Sequence, residues 1–362
     1  MKTILLTLIY VSILSSCTLK KAHIQDDTIV ANGQMPNIVK DNNGNIQLVY
    51  GFGDSIMYAN LPDNGNNFSK PTLIAILPNL AASHTRGPQI ATANNELTVI
   101  ACNDAGNIFS YYKDGSGNWL QSVKINDVDS VAKENLMSLS ESDGKAFAVW
   151  LDTRGNGQNK IYGAKSTDVG RTWSKNFMIY TSPDNTVCQC CKPSVVVKGN
   201  NIYVMFRNWL KGNRDMYLIQ SNDGGNTFGQ AQKLGTGDWK LNGCPMDGGG
   251  LTINSKGTLQ TVWRREGKVY SSMPGLAERE IGEGKGCSIE TINEKNIYAW
   301  AENDGVVFIN SKGEKKLLGK GNLPVIKALN NEVAICVWQN EKEIHSAIGH
   351  AIVSTTRRCA KR

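Results

Sequence analysis

The chain has 362 residues, 40% hydrophobic and 20% charged, which is ample for a large core in two ordinary domains or one large all-β domain. Its formal net charge of +7 sits partly in the terminal TTRRCAKR, and no basic block interleaves with aromatic residues, which argues against a nucleic-acid partner. Glycine is abundant, at 36 residues, and Asn-Gly, Asp-Gly and Gly-Asn pairs recur, the turn chemistry of many short strands.

The chain opens with MKTILLTLIYVSILSSC, one lysine and then an apolar run from Ile4 to Leu14. The run is short for a bilayer span and has the shape of a signal-peptide core. Leu14-Ser15-Ser16-Cys17 resembles a bacterial lipobox, a signal in which the cysteine becomes the lipidated first residue of the mature protein. The resemblance implies an exported protein anchored at Cys17 to a bacterial membrane, on its periplasmic side or at the cell surface. Residues 1–17 are then the signal, 18–33 a polar tether and 356–362 a basic tail.

Between them, over residues 34–355, one unit recurs. Its second run is apolar and often ends in an aromatic: IQLVY (46–50), LTVIA (97–101), AFAVW (146–150), IYVMF (202–206), LQTV (259–262) with Trp263, NIYAW (296–300) and VAICVW (333–338). A third run follows most copies, and no long segment has helical periodicity. Three or four antiparallel strands repeated roughly every ~40–50 residues match the blade of a β-propeller. Seven copies predict seven blades, with six as the alternative if the two short final copies share one.

The turn after the third run is the sharpest local signal. STDVGRTW (166–173) and SNDGGNTF (221–228) share Ser-x-Asp-x-Gly-x-Thr-aromatic, while LPDNGNNF (61–68) and KDGSGNW (113–119) are weaker echoes. An aspartate that accepts turn amides, a glycine at positive φ and an aromatic plug make a hairpin turn. The pattern resembles the Asp-box of sialidases and related propellers. In that superfamily the box is a structural turn away from the active site, so Asp168 and Asp223 are expected to serve folding.

The sialidase resemblance extends to Lys192-Pro193-Ser194-Val195-Val196 and Arg207, which line up with that family's Glu-Pro-Ser-Val-Val and a carboxylate-clamping arginine. Lysine stands where the family has the glutamate that activates a tyrosine nucleophile. The family's first clamping arginine is also absent, since the corresponding place reads Gln34-Met35-Pro36. If the chain is a sialidase-type glycoside hydrolase, the candidates for its chemistry are Asp54 as acid/base and Arg207 and Arg264 (with Arg265 beside it) as guanidinium groups. If it is a binding protein, Arg86, Lys192, Arg207 and Asp247 are the candidates to hold a glycan or small anionic ligand. The alternative for Arg207 is a structural rim residue paired to an acid such as Asp215.

Cysteine usage adds a third class of reading. VCQCCKP places Cys188, Cys190 and Cys191 before a strand, and NGCPMD places Cys244 at the equivalent point one unit later. The pairing of Cys-x-Cys-Cys with Gly-Cys-Pro resembles a branch of sialidase-like bacterial proteins. Cys287 opens the next unit at an equivalent place again. Three readings stay open: a disulfide from the 188–191 group to Cys244, a soft-metal site for Cu or Zn, or a redox-active pair. No other cofactor is expected. Cys102 and Cys336 lie inside second runs and read as buried core thiols.

Overall fold

The computed structural model describes residues 27–63, 65–93, 95–303 and 305–351; the signal, Cys17, the first part of the tether and the basic tail lie outside them. The described residues form seven four-stranded antiparallel sheets and no helix, a seven-bladed β-propeller. Blades 1–6 are simple meanders, with inner strands Gln34–Lys40, Gln89–Ala93, Met137–Ser142, Ser194–Lys198, Gly249–Ile253 and Lys285–Ile292. Blade 7 has the order 28–32, 343–350, 333–340, 322–328, so its outermost strand comes from the start of the chain. Successive inner strands touch, and that of blade 7 touches that of blade 1, which closes the ring.

This closure corrects the tether boundary. Thr28–Asn32 is a strand, paired with Glu343–Ser346. Its Ile29, Val30 and Ala31 run together without alternation, and its partner strand lies at the far end of the sequence. Asp27 is clipped beside it by His345, whose Nδ1 lies 2.5 Å from Asp27 Oδ1.

The aromatic that ends most second runs explains the core. Tyr50, Trp150, Phe206, Trp263, Trp300 and Trp338 are all essentially buried, each worth roughly 2–3 kcal/mol of burial. In three blades the chain arrives through a single glycine placed against this aromatic: Gly33, Gly284 and Gly321. A Cβ would stand 2.2 Å from Tyr50, 2.3 Å from Trp300 and 2.6 Å from Trp338 respectively, so no larger residue fits there. Blades 2–5 are reached instead by long loops over residues 77–88, 125–136, 181–193 and 234–248.

Inner strands all run the same way, so those four loops lie on one face of the ring. The Asp-box turns, between third and fourth strands, lie on the other. Their bonding repeats in both good copies. Ser166 Oγ donates to Asp168 (2.7 Å) and accepts from Gly170 N (2.9 Å), while Asp168 accepts from Thr172 N (2.9 Å) and Thr172 Oγ1 (2.6 Å). Ser221, Asp223, Gly225 and Thr227 reproduce the set. Burial works to raise the Asp168 pKa, but the Thr172 and Ser166 bonds and the charge of Arg171 outweigh it and hold the carboxyl below its usual range.

Asp168→Ala should therefore cost about 1–3 kcal/mol, the loss of hydrogen bonds to a charged group. A depressed native pKa stabilises the fold above the unfolded value near ~3.9. The difference in melting temperature between wild type and variant should be full at neutral pH and shrink as pH falls through that range; a constant difference across pH would contradict it.

Candidate functional site

The axis of the ring is a channel of about 420 Å³, lined by the inner strands of all seven blades. Its mouth lies on the face of the four long loops. Lys192, at the end of the loop into blade 4, reaches across it, and its Nζ donates to Gln89 Oε1 of blade 2 at 2.9 Å. Gln89 is fixed for this role, since its Nε2 is spent on the carbonyls of Gly87 and Pro88. Lys192 has no ion-pair partner among the described residues, and its side chain is half-buried in the channel wall. Burial pushes its pKa down to about 8. Thr85 sits at the same end, in the left-handed region (φ 70°, with His84 at 49°), with its hydroxyl buried and unpartnered.

At the far end of the channel stand Glu141, Glu290 and Lys327. Glu290 is satisfied by Lys327 at 3.0 Å and Thr252 at 3.2 Å. Glu141 is not: its carboxyl oxygens are buried without a hydrogen-bond partner. Burial raises its pKa to about 8, against the opposing pull of Thr98, which leaves it largely protonated at neutral pH.

The predicted arginines gather on the mouth face but do different work. Arg207 is 1% exposed and is not part of the channel wall. Its Nη1 and Nη2 donate to the carbonyls of Arg214 (2.8 Å) and Arg264 (2.9 Å), and its Nε to that of Asp247 (3.3 Å). It holds the blade 4 and blade 5 strand ends together, and it pairs with no acid; Asp215 binds Lys233 instead, at 2.9 Å. Arg264 pairs with Asp247 (2.9 Å) and donates to Pro245 O (3.0 Å). Both guanidinium groups pack on Trp239, at 5.0 and 5.4 Å from a ring centroid. Arg265 is closed off by Glu278.

Asp247 is buried at the channel mouth. Burial raises its pKa, opposed by Arg264 and Arg207, and its other oxygen accepts from Gly286 N at 3.3 Å. Arg86 ties the loop of blade 2 to that of blade 3, donating to Glu134 O (2.8 Å) and His84 O (3.1 Å). Asp54 is exposed in the turn at 53–54 and accepts from Asn79 N at 3.0 Å. It does not line the channel. Of the predicted site residues, Lys192 and Asp247 line the channel, while Asp54, Arg86, Arg207 and Arg264 lie outside its wall.

The cysteines stand beside this mouth. Cys190 is joined to Cys244 with Cα atoms 6.2 Å apart, a staple between the loops into blades 4 and 5. Cys188 and Cys191 are buried free thiols, 3.2 Å apart, and Cys188 Sγ lies 3.7 Å from Cys190 Sγ. Arg214, buried and stacked on Trp209 at 4.2 Å, donates to Cys188 Sγ at 2.9 Å. The bond from Cys191 lowers the Cys188 pKa most; burial opposes it, and the Cys190 amide and the charges of Arg214 and Arg207 add to the lowering, to about 6. Burial pushes Cys191 well up. With Cys190 bonded, two thiols remain in the cluster, and no histidine or carboxylate joins it among the described residues. Cys102 and Cys336 are buried free thiols, as their second-run positions indicate, and Cys287 lies in the channel wall.

Sequence reading missed Gln89, Arg214 and Trp239. Gln89 bonds across the ring and Arg214 bonds a thiol, neither of which leaves a local pattern. Trp239 had a usable signal, a tryptophan in a Gly-rich loop rather than at the end of a second run.

No known family profile matches the sequence, and no curated protein is similar to it. The fold is nevertheless shared. An α-L-arabinofuranosidase from Fusarium graminearum, solved with an iminosugar inhibitor, matches with a TM-score of 0.55 at 10% identity, over 90% of this chain and 98% of that one. Virginiamycin B lyase from Staphylococcus aureus matches with a TM-score of 0.53 at 13% identity, over 89% and 97%. A protein of unknown function from Dyadobacter fermentans matches with a TM-score of 0.50 at 14% identity, over 90% and 98%. The chain thus shares its propeller fold with a glycoside hydrolase and a lyase. At these identities the likeness is one of fold.

Proposed function

We propose that the protein binds an acidic sugar, or a small anion of similar size, at the mouth of its axial channel. The observation that carries this is Lys192: a cation inside a cavity, held by an amide and by no carboxylate. An anionic ligand would supply the missing counter-charge, and charge-assisted bonds are the strong ones. The channel volume of about 420 Å³ lies within the usual range for small-molecule sites, roughly 300–1,000 Å³. Unpaired Thr85, with Ser138 and Ser140 along the wall, offers hydroxyl partners for a sugar. The arabinofuranosidase of the same fold, solved with arabinobiose, is in keeping with a carbohydrate ligand without identifying it.

Sialidase-type hydrolysis fits the residues less well. Lys192 occupies the position of the activating glutamate, and Arg207 spends its nitrogens on backbone carbonyls. Binding, rather than cleavage, is the activity proposed.

Calorimetry with glucuronate, N-acetylneuraminate and a neutral hexose tests the reading. The acidic sugars should bind in preference. Lys192→Met should weaken them roughly ten- to a hundredfold, the worth of one charge-assisted bond. The amine is charged below about pH 8, so affinity should hold up to that pH and fall above it, with no such fall in Lys192→Met. An aryl sialoside should not be turned over. Equal affinity for neutral and acidic sugars, or turnover that disappears in Arg207→Ala, would overturn the proposal.

The lipobox-like Leu14–Cys17 leads us to propose, in addition, export and lipid anchoring. Cys17→Ala should shift the protein from the membrane to the soluble exported fraction, or leave it unprocessed. A variant that is processed normally and stays on membranes would contradict the anchor.

A further inference from the structure

The sulfur cluster has an inside and an outside. Cys188 and Cys191 are each 1% exposed and Cys190 8%. Cys244, at the other end of the disulfide, is exposed, between exposed Gly243 and Met246. A buried dithiol with Cys-x-x-Cys spacing therefore abuts the inner sulfur of a disulfide whose outer residue faces solvent. Both distances needed for exchange are already short: 3.7 Å from Cys188 to Cys190, and 3.2 Å from Cys191 to Cys188. Arg214 donates to the Cys188 sulfur at 2.9 Å and would favour its thiolate. Cys188 is also fixed in place, its amide donating to Arg207 O at 3.0 Å.

We propose that these four cysteines form a two-electron thiol–disulfide relay, in which Cys188 and Cys191 reduce the Cys190–Cys244 bond and Cys244 exchanges with an external disulfide. In the first step the Cys188 thiolate attacks Cys190 Sγ. The Cys188–Cys190 bond forms, the Cys190–Cys244 bond breaks, and Cys244 leaves as a thiolate that takes a proton from solvent. In the second step Cys191 gives up its proton and attacks Cys188 Sγ. The Cys188–Cys191 bond forms, and Cys190 leaves as a thiolate and is protonated. The inner pair has then lost two electrons and two protons to the outer pair.

The outer pair passes them on. The Cys244 thiolate attacks the external disulfide and releases one substrate thiol. Cys190 then attacks Cys244 Sγ, releases the second thiol and restores the Cys190–Cys244 bond. To reset the inner pair, one thiol of an external dithiol attacks Cys244 and frees Cys190, and Cys190 attacks Cys188 and frees Cys191. The second external thiol then displaces Cys244 as the external disulfide forms, and Cys244 attacks Cys190 and frees Cys188. This leaves the inner pair as thiols and the Cys190–Cys244 bond restored. Each step is ordinary exchange through a mixed disulfide. The relay stands on the sulfur positions alone and is independent of what the channel binds.

The experiment is a redox titration of the purified protein in glutathione buffers, quenched with acid, alkylated and mapped by non-reduced peptide mass spectrometry. In wild type, a Cys188–Cys191 bond should appear together with alkylated Cys244. In Cys188→Ser, incubated with the alkylating agent but without glutathione so that no external reductant is present, alkylation of Cys244 should fall about tenfold or more relative to wild type, because the internal reductant is gone. Cys191→Ser should accumulate the Cys188–Cys190 bond, since nothing resolves it; this variant retains the relay's first step and keeps the test decisive if Cys188→Ser folds poorly. Without glutathione, Cys244 alkylation equal in wild type and Cys188→Ser would overturn the relay. So would Cys188 and Cys191 remaining thiols at every poise, or a stoichiometric Cu or Zn ion that protects them from alkylation.

Discussion

Everything on the candidate face depends on closure of the ring. Blades are meanders that cannot bury both faces alone, and they become stable by packing on two neighbours. Closure requires the last blade to borrow Thr28–Asn32 from the start of the chain. It also forces every inner strand to run the same way, so all connections into blades open on one face. Cys190 and Cys244, 54 positions apart in sequence, can bond for that reason. Lys192 of blade 4 and Gln89 of blade 2 meet across the axis for the same reason.

The ring is not symmetric on that face. Gly33, Gly284 and Gly321 bring the chain into blades 1, 6 and 7 with nothing to spare, against Tyr50, Trp300 and Trp338. The four longer loops into blades 2–5 are where the polar chemistry lies. Of the five cations nearest the mouth, Arg86, Lys192, Arg207, Arg214 and Arg264, two meet an acid. Arg264 has Asp247 and Arg86 has Glu134. Arg207 has only carbonyls and Trp239, Arg214 has the Cys188 sulfur, and Lys192 has an amide. Buried guanidinium groups are tolerable because their forked donors are filled. A lysine with one amide partner is less well served, and that imbalance is what a ligand would relieve.

Much of this was legible in the sequence, for reasons that can be named. The aromatic ending most second runs marks a repeat because a large side chain fills most blade cores, and the Asp-box marks a turn whose bonds are all local. The cluster of Cys188, Cys190 and Cys191 opposite Cys244 followed from their equivalent positions in adjacent units. Which of the three bonds Cys244 was not legible, since all lie within one short loop and only its path selects Cys190. Arg207 matched a clamping arginine by position, yet its direction is set by three carbonyls that no side-chain pattern records. The strand at 28–32 escaped notice because it is short, its apolar residues do not alternate and its partner lies far away in sequence.

The most direct measurement is the titration of Lys192 itself, followed by NMR of its labelled amine in the wild-type protein, with Lys192→Met to assign the signal. The account predicts a value near 8 without ligand, rising when glucuronate or N-acetylneuraminate is added, because a bound carboxylate favours the charged amine. A value at the ordinary lysine range near ~10.4, unmoved by either sugar, would contradict it.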